Sequence, residues 1–134
     1  MRETNTYYIV LLLFMILSCA KIDKIRPSIN SLNVNDQSGD TVYIGPGTLL
    51  INYEITDNEL IQSNKLKLLE QTSNDTAFLY LFIEDVNSNT YNKEITVIVP
   101  DSIKAISKFF TLTIDAFDDS GNQALQKKTI INFK

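Results

Sequence analysis

The sequence predicts an all-β protein that folds as a single two-layer sandwich. Runs in which apolar and polar residues alternate recur about every ten to fifteen residues, and helical periodicity is scarce. Setting aside an amino-terminal leader leaves about 100 residues, enough for one core. A domain of that size buries about two-thirds of its unfolded surface, so its stability requires no disulfide or cofactor. A closed barrel is the main structural alternative.

About seven strands follow from the pattern. The clearest comes after the turn Gly45-Pro46-Gly47, where residues 49, 51, 53 and 55 are apolar and the residues between them mostly polar. Alternation fails near Ser31, which predicts a β-bulge in the first strand. A polar loop is predicted at residues 57–63 and a turn at Asn87-Ser88-Asn89. The other predicted strands are residues 28–35, 65–70, 77–83, 94–99, 110–116 and 125–133.

The segment Ala77 to Ile83, reading AFLYLFI, is apolar at every position. A strand that is apolar on both sides is typical of the middle of a sheet that is covered on both faces. The alternative is an edge strand whose apolar side chains contact a partner, with the partner adding a strand of its own. The periodicity favours the central position.

The amino terminus predicts export and a lipid anchor. Residues Tyr7 to Leu17 are eleven consecutive apolar residues, too short to span a bilayer as a helix but suited to the core of a signal peptide. Ile16, Leu17, Ser18 and Cys19 resemble the lipobox of bacterial lipoproteins. This resemblance implies cleavage before Cys19 and acylation of its sulfur, and Ala20 resembles the pattern that permits transfer to the outer membrane. We therefore expect a signal peptide at 1–18, a lipidated cysteine and linker at 19–26, and one domain at 27–134.

Two motifs resemble those of bacterial immunoglobulin-like and cadherin-like surface domains. Asp57 matches the aspartate that ends one strand in such domains. Ala116, Asp118, Gly121 and Asn122 match the a-x-D-x-x-G-N turn that ends another. The resemblance implies a single immunoglobulin-like Greek-key sandwich of the uncharacterised kind carried by small anchored lipoproteins.

Calcium is the candidate cofactor that the resemblance implies. Cadherin-like domains hold it with loop carboxylates, and Ca²⁺ takes six to eight oxygen ligands. The candidate ligands are Asp57, Glu59, Asp118, Asp119 and Asn122. The alternative is that Asp118, Gly121 and Asn122 form only a turn, with side-chain hydrogen bonds and a glycine at positive φ.

Composition argues against two classes of function. The chain has 12 basic and 16 acidic residues, a formal charge of −4, and its lysines are scattered, so no basic stripe is present to bind nucleic acid. It has no His or Trp, and Cys19 is its one cysteine, which removes the usual nucleophilic triads and His-ligated metals. Glu84 and Asp85 are neighbours on a strand and point to opposite faces. We therefore predict a non-catalytic protein, with a carboxylate-dependent envelope hydrolase as the alternative.

The predicted role is a lipid-anchored binding or structural module of the cell envelope. Its partners are the membrane, through the anchor, and an envelope protein or a glycan. Glycan binding requires exposed aromatic rings, and Tyr43 and Tyr91 flank predicted turns where they would be exposed. Tyr53 lies on the apolar side of its strand and is expected in the core.

Overall fold

The structure, a computed structural model, describes residues 23–45, 47–70, 78–99 and 109–133. The predicted signal peptide, Cys19 and the first part of the predicted linker lie outside the described residues. Within the described residues no helix is present, and therefore none that could cross a membrane. The six strands are β1 (Ser28–Val34), β2 (Thr41–Ile44), β3 (Thr48–Glu70), β4 (Phe78–Ile98), β5 (Phe109–Asp118) and β6 (Lys127–Phe133).

The long strands β3 and β4 form an antiparallel ribbon that belongs to both layers of the sandwich. Residues 48–56 of β3 pair with residues 90–98 of β4, and residues 61–69 pair with residues 78–88. On its other side β3 pairs first with β1, over residues 51–56, and then with β5, over residues 61–70. The first layer is therefore β1 with the early part of β3 and the late part of β4.

The second layer contains the remaining strand segments. Residues 78–88 of β4, residues 61–70 of β3, β5 and β6 are antiparallel neighbours, and β2 ends the layer by pairing in parallel with β6. In the described residues β4 pairs only with β3, so β4 is an edge strand of both layers. The prediction of a central position for residues 77–83 is therefore wrong.

The ribbon bends where the sequence predicted a loop and a turn. Thr56 pairs with Thr90 and Ile61 with Ser88, so β3 places four residues where β4 places one. The inward-facing positions of β3 remain odd-numbered through Ile61 and become even-numbered from Asn64 onward, across a second shift of register between Ile61 and Ser63. Asn87 adopts a positive φ of 54° in a second irregularity, on β4. The polar residues thus mark bulges within continuous strands.

The core lies between the two layers and uses the predicted alternation. Its fully buried side chains include Ile51 and Ile55 from the first layer and Leu66, Leu112 and Ile131 from the second. The Phe110 and Phe133 rings meet edge to face with centroids 5.1 Å apart, a favourable geometry for an aromatic pair. Tyr53 is 3% exposed, as expected.

The bulge in β1 was predicted from the sequence, and the strand β2 was not. The predicted bulge in β1 is confirmed as a shift of register between Ile29 and Ser31. The strand β2 was not predicted, because four residues at the end of a polar segment give too short a pattern to recognise.

Candidate functional site

Asp118 organises a tight turn at the end of β5. Its Oδ1 accepts a hydrogen bond of 2.6 Å from the Asn122 backbone N–H, and its Oδ2 accepts one of 2.7 Å from Asn122 Nδ2. Gly121 has a φ of 84°, a conformation that glycine adopts without strain. Asp118, Gly121 and Asn122 therefore form a tight turn with side-chain hydrogen bonds, as the alternative to a calcium site predicted. The turn holds the fully buried Asp118 carboxylate in place.

Asp57 lies at the bend of β3, beside that turn. Both of its carboxylate oxygens are buried, and neither has a hydrogen-bond partner among the described residues. A buried carboxylate without a partner loses the hydration it has in the unfolded chain. Burial raises the pKa of Asp57, and the charges of Asp118 and Asp23 raise it further, while the nearby backbone amides of Asn58 and Glu59 partly offset the rise.

Asp23 brings a third carboxylate from the linker that precedes β1. Its Oδ1 accepts a hydrogen bond from the Ile25 backbone N–H at 2.9 Å, and its Oδ2 accepts one from Asn58 Nδ2 at 3.1 Å. Asn122 Nδ2 also donates to the backbone oxygen of Asp23, at 3.1 Å. These contacts join residues 35 and 99 positions apart in the chain, so the linker is fixed against the end of the sandwich.

Asp23, Asp57 and Asp118 form what we call the acidic cluster. One carboxylate oxygen of each lies within 4.8 Å of the others. The ion pairs Lys67–Asp115 and Lys93–Glu84 both lie elsewhere, and no cationic side chain of the described residues forms an ion pair with the cluster. Three carboxylates and a nearby backbone carbonyl are hard oxygen donors of the kind that Ca²⁺ prefers. The arrangement fits a divalent cation.

The structure brings together part of the predicted metal site. Asp57, Asp118 and Asn122 lie at the cluster. Glu59 and Asp119 are both exposed and contribute no carboxylate to it. Asp23 was missed, because it belongs to the predicted linker and no spacing in the sequence relates it to residues so far along the chain.

A second charged group lies between the two parts of β4, and we call it the clasp. Glu84 Oε2 accepts hydrogen bonds from the Tyr91 hydroxyl and, at 2.8 Å, from Lys93 Nζ. Lys93 Nζ also lies 4.8 Å from the centre of the Phe82 ring, within range of a cation–π interaction. Because Glu84 is in the second layer and Lys93 in the first, the clasp ties the layers together along β4.

The pKa values of the clasp residues shift in the directions expected of a hydrogen-bonded ion pair. Hydrogen bonds from Lys93 and Tyr91 lower the pKa of Glu84, and the hydrogen bond to Glu84 raises the pKa of Lys93. Burial, followed by the bond to Glu84, raises the pKa of Tyr91. Tyr91 is half-buried and its hydroxyl donates to Glu84, so the prediction that Tyr91 is exposed is wrong. Tyr43 is 52% exposed, as predicted.

The outward side of β4 carries exposed apolar residues. Leu81 and Ile83 are 46% and 59% exposed, opposite Lys67 and Lys65 on β3. Natural edge strands commonly carry a lysine, a proline or a bulge that discourages pairing. Residues 78–83 contain no lysine and no proline, and after a shift of register at Leu79 residues 80–83 pair regularly with β3. This segment, which we call the β4 edge, retains the chemistry of a strand that pairs.

Strand pairing, a two-layer core and the absence of helix in the described residues define this chain as an immunoglobulin-like β-sandwich, which confirms the predicted fold class. A Niemann-Pick type C2 protein from Japanese carpenter ant shares the fold, with a TM-score of 0.57 at 6% identity over 81% of this chain and 93% of that chain. Murine CRIg aligns with a TM-score of 0.44 at 13% identity, over 81% of this chain and 97% of that one. No family model and no curated protein matches the sequence.

Proposed function

We propose that this protein is a non-catalytic binding module that captures a protein partner by adding a strand to the β4 edge. The observation that carries the proposal is the exposure of Leu81 and Ile83 on a strand that pairs on one side only within the described residues. In strand addition the backbone supplies affinity, and alternate side chains supply specificity. Here the side chains of Leu81 and Ile83 would supply the specificity.

Photo-crosslinking tests this proposal directly. A photoreactive amino acid placed at Ile83 in the full chain should crosslink to a discrete envelope protein, and Ile83→Lys should abolish capture of that same protein. The matched control is Ile98→Lys, because Ile98 is also on β4 and is 78% exposed, but lies in the first layer. Equal loss of capture in both variants, or unimpaired capture by Ile83→Lys, would contradict the proposal.

The module would act at the outer membrane, held there by acyl chains on Cys19. The support is the eleven-residue apolar segment and the lipobox-like Ile16 to Cys19. Two or three acyl chains hold a protein at a bilayer almost permanently, whereas one binds reversibly. Incorporation of an alkyne fatty acid into the wild type, and its loss together with membrane association in Cys19→Ser, is the expected result. Retention of residue 1 in the mature protein would contradict it.

The acidic cluster favours a second function, a calcium-stabilised adhesive module. The observation behind it is the pair of buried Asp57 oxygens without partners. A cation there would bind Asp57 and Asp118 of the domain together with Asp23 of the linker, and would fix the domain relative to its anchor. Isothermal titration of Ca²⁺ into the chelator-treated full chain should give binding that Asp57→Asn removes. Titration with no heat and no change in melting temperature would exclude it.

A further inference from the structure

On the side of the sandwich opposite β4, a polar cleft of about 730 Å³ lies between β1 and β6. One wall is formed by residues 30–33 of β1, the other by residues 126–129, and residues 38–40 close one end. Lys127 crosses it, donating a hydrogen bond of 3.2 Å from Nζ to the Asn30 backbone oxygen. The cleft therefore separates two strand edges that belong to different layers.

The backbone of β1 points polar groups into this cleft. Val34 exchanges hydrogen bonds with Gln37 on the side away from β3, and Asn35 N–H bonds to Leu50 of β3. Since backbone groups alternate sides along a strand, Leu32 directs its N–H and C=O away from β3 as Val34 does. The Asn30 oxygen points the same way, as its contact with Lys127 shows. Among the described residues, this side of Leu32 pairs with no other strand, and the Asn30 oxygen accepts its hydrogen bond from a side chain, that of Lys127.

The backbone of β6 faces the same space. Ile130 N–H donates to the Asp40 backbone oxygen at 2.8 Å, on the side where β2 lies. Lys128, two residues earlier, directs its N–H and C=O to that side as well, but β2 begins pairing only at Ile130. On both walls of the cleft, the backbone N–H and C=O groups of every second residue therefore point toward the cleft.

We propose that this cleft binds an extended peptide of acidic character as an added strand. The peptide backbone would take the place of the Lys127 ammonium at the Asn30 oxygen and pair with Leu32 or Lys128. Charge selects the peptide, because Lys127 and Lys128 line the cleft, whereas its one lining carboxylate, Asp40, lies at the closed end. Once displaced, Lys127 is free to pair with a carboxylate of the peptide. This site does not depend on the β4 edge or on the acidic cluster.

The test uses two capped seven-residue peptides of alternating threonine and valine, one with a central glutamate and one with a central lysine. Amide hydrogen exchange of the full chain in detergent, measured by NMR, should show new protection at Leu32 or at Lys128 when the glutamate peptide is added. The glutamate peptide should bind roughly fivefold more tightly than the lysine peptide, as one partly exposed ion pair allows. Lys127→Ala should reduce this preference, and Lys65→Ala, on another surface, should leave it unchanged.

Three results would overturn the inference. Protection confined to residues 79–83 would assign the peptide to the β4 edge and would leave the proposed function standing. Affinity that does not depend on the charge of the central residue would remove the acidic selectivity. An absence of new protection at Leu32 and Lys128 at the highest soluble peptide concentration would remove the site itself.

Discussion

The acidic cluster and the clasp use the same kind of side chain in opposite ways. In the clasp, Lys93 and Tyr91 bond to the carboxylate of Glu84, and its pKa falls. In the acidic cluster, the Asp57 carboxylate has two carboxylate neighbours and no hydrogen-bond partner within the described part of the chain, and its pKa rises. Lys93 thus provides the cation of the clasp, whereas no described residue provides one for the acidic cluster. A carboxylate cluster of the second kind stabilises the fold only when it is protonated or binds a cation.

The largest expected effect is that of Ca²⁺ on the acidic cluster. A ligand that binds only the folded state, at a hundredfold excess over its Kd, stabilises by about 2.7 kcal/mol. Chelator-treated protein should therefore melt several degrees higher after Ca²⁺ is added, as measured by calorimetry. Glu84→Gln should retain this shift, because the clasp takes no part in it. A shift of the same size in Asp57→Asn would show that the cation binds elsewhere.

Asp57→Asn tests the cluster without a cation. The substitution keeps the shape of the side chain and removes a buried charge that faces two others. We expect it to raise the free energy of unfolding by about 1 kcal/mol in chelator at pH 7, measured by urea denaturation. The matched variant Asp119→Asn, on an exposed carboxylate of the same turn, should change stability little. Destabilisation by Asp57→Asn would mean that the carboxylate has a stabilising partner.

Breaking the clasp should change the free energy of unfolding by less than the changes to the acidic cluster do. Lys93→Met keeps an unbranched apolar side chain and removes the ammonium that lies over Phe82, leaving Glu84 with the Tyr91 hydroxyl alone. Partly exposed ion pairs contribute about 0.2–1 kcal/mol, so the expected loss is about 0.5 kcal/mol. A double-mutant cycle with Glu84→Gln measures the coupling of the pair. Zero coupling would show that the contact adds nothing to stability.

The smallest effects, and the ones that separate the two sites most clearly, are in the pH dependence of stability. The Glu84 pKa is lowered from 4.5, so its contribution is present above that pH and is lost as pH falls through the folded-state value. The Asp57 pKa is raised from 3.8, so its contribution is present below that pH and is lost as pH rises through the folded-state value. In chelator, the urea midpoint of Glu84→Gln relative to the wild type should therefore rise as pH falls from 7 to 3. The urea midpoint of Asp57→Asn relative to the wild type should fall over the same range. Parallel curves would contradict this assignment.

The fold class and the core could be read from residue order. Alternation at residues 49–55 depends on one strand and one buried face, which is local information, whereas residues 110–116 alternate in sequence but are buried on both faces. The turn at Asp118 could also be predicted, since Asp, Gly and Asn at that spacing favour a tight turn. The bend in β3 and β4 could not. The same polar residues form a loop or a bulge depending on whether neighbouring strands continue the pairing.

The sequence by itself determined that strands would form, which side of residues 49–55 would be buried, and that the chain would turn at Asp118. Only the tertiary structure decided that Asp23 joins those two aspartates, that β4 lies at an edge, and that Lys93 meets Glu84 across the layers. The physical reason is that alternation records burial along one strand. The pairing of strands and the meeting of distant carboxylates depend on how the whole chain closes around its core.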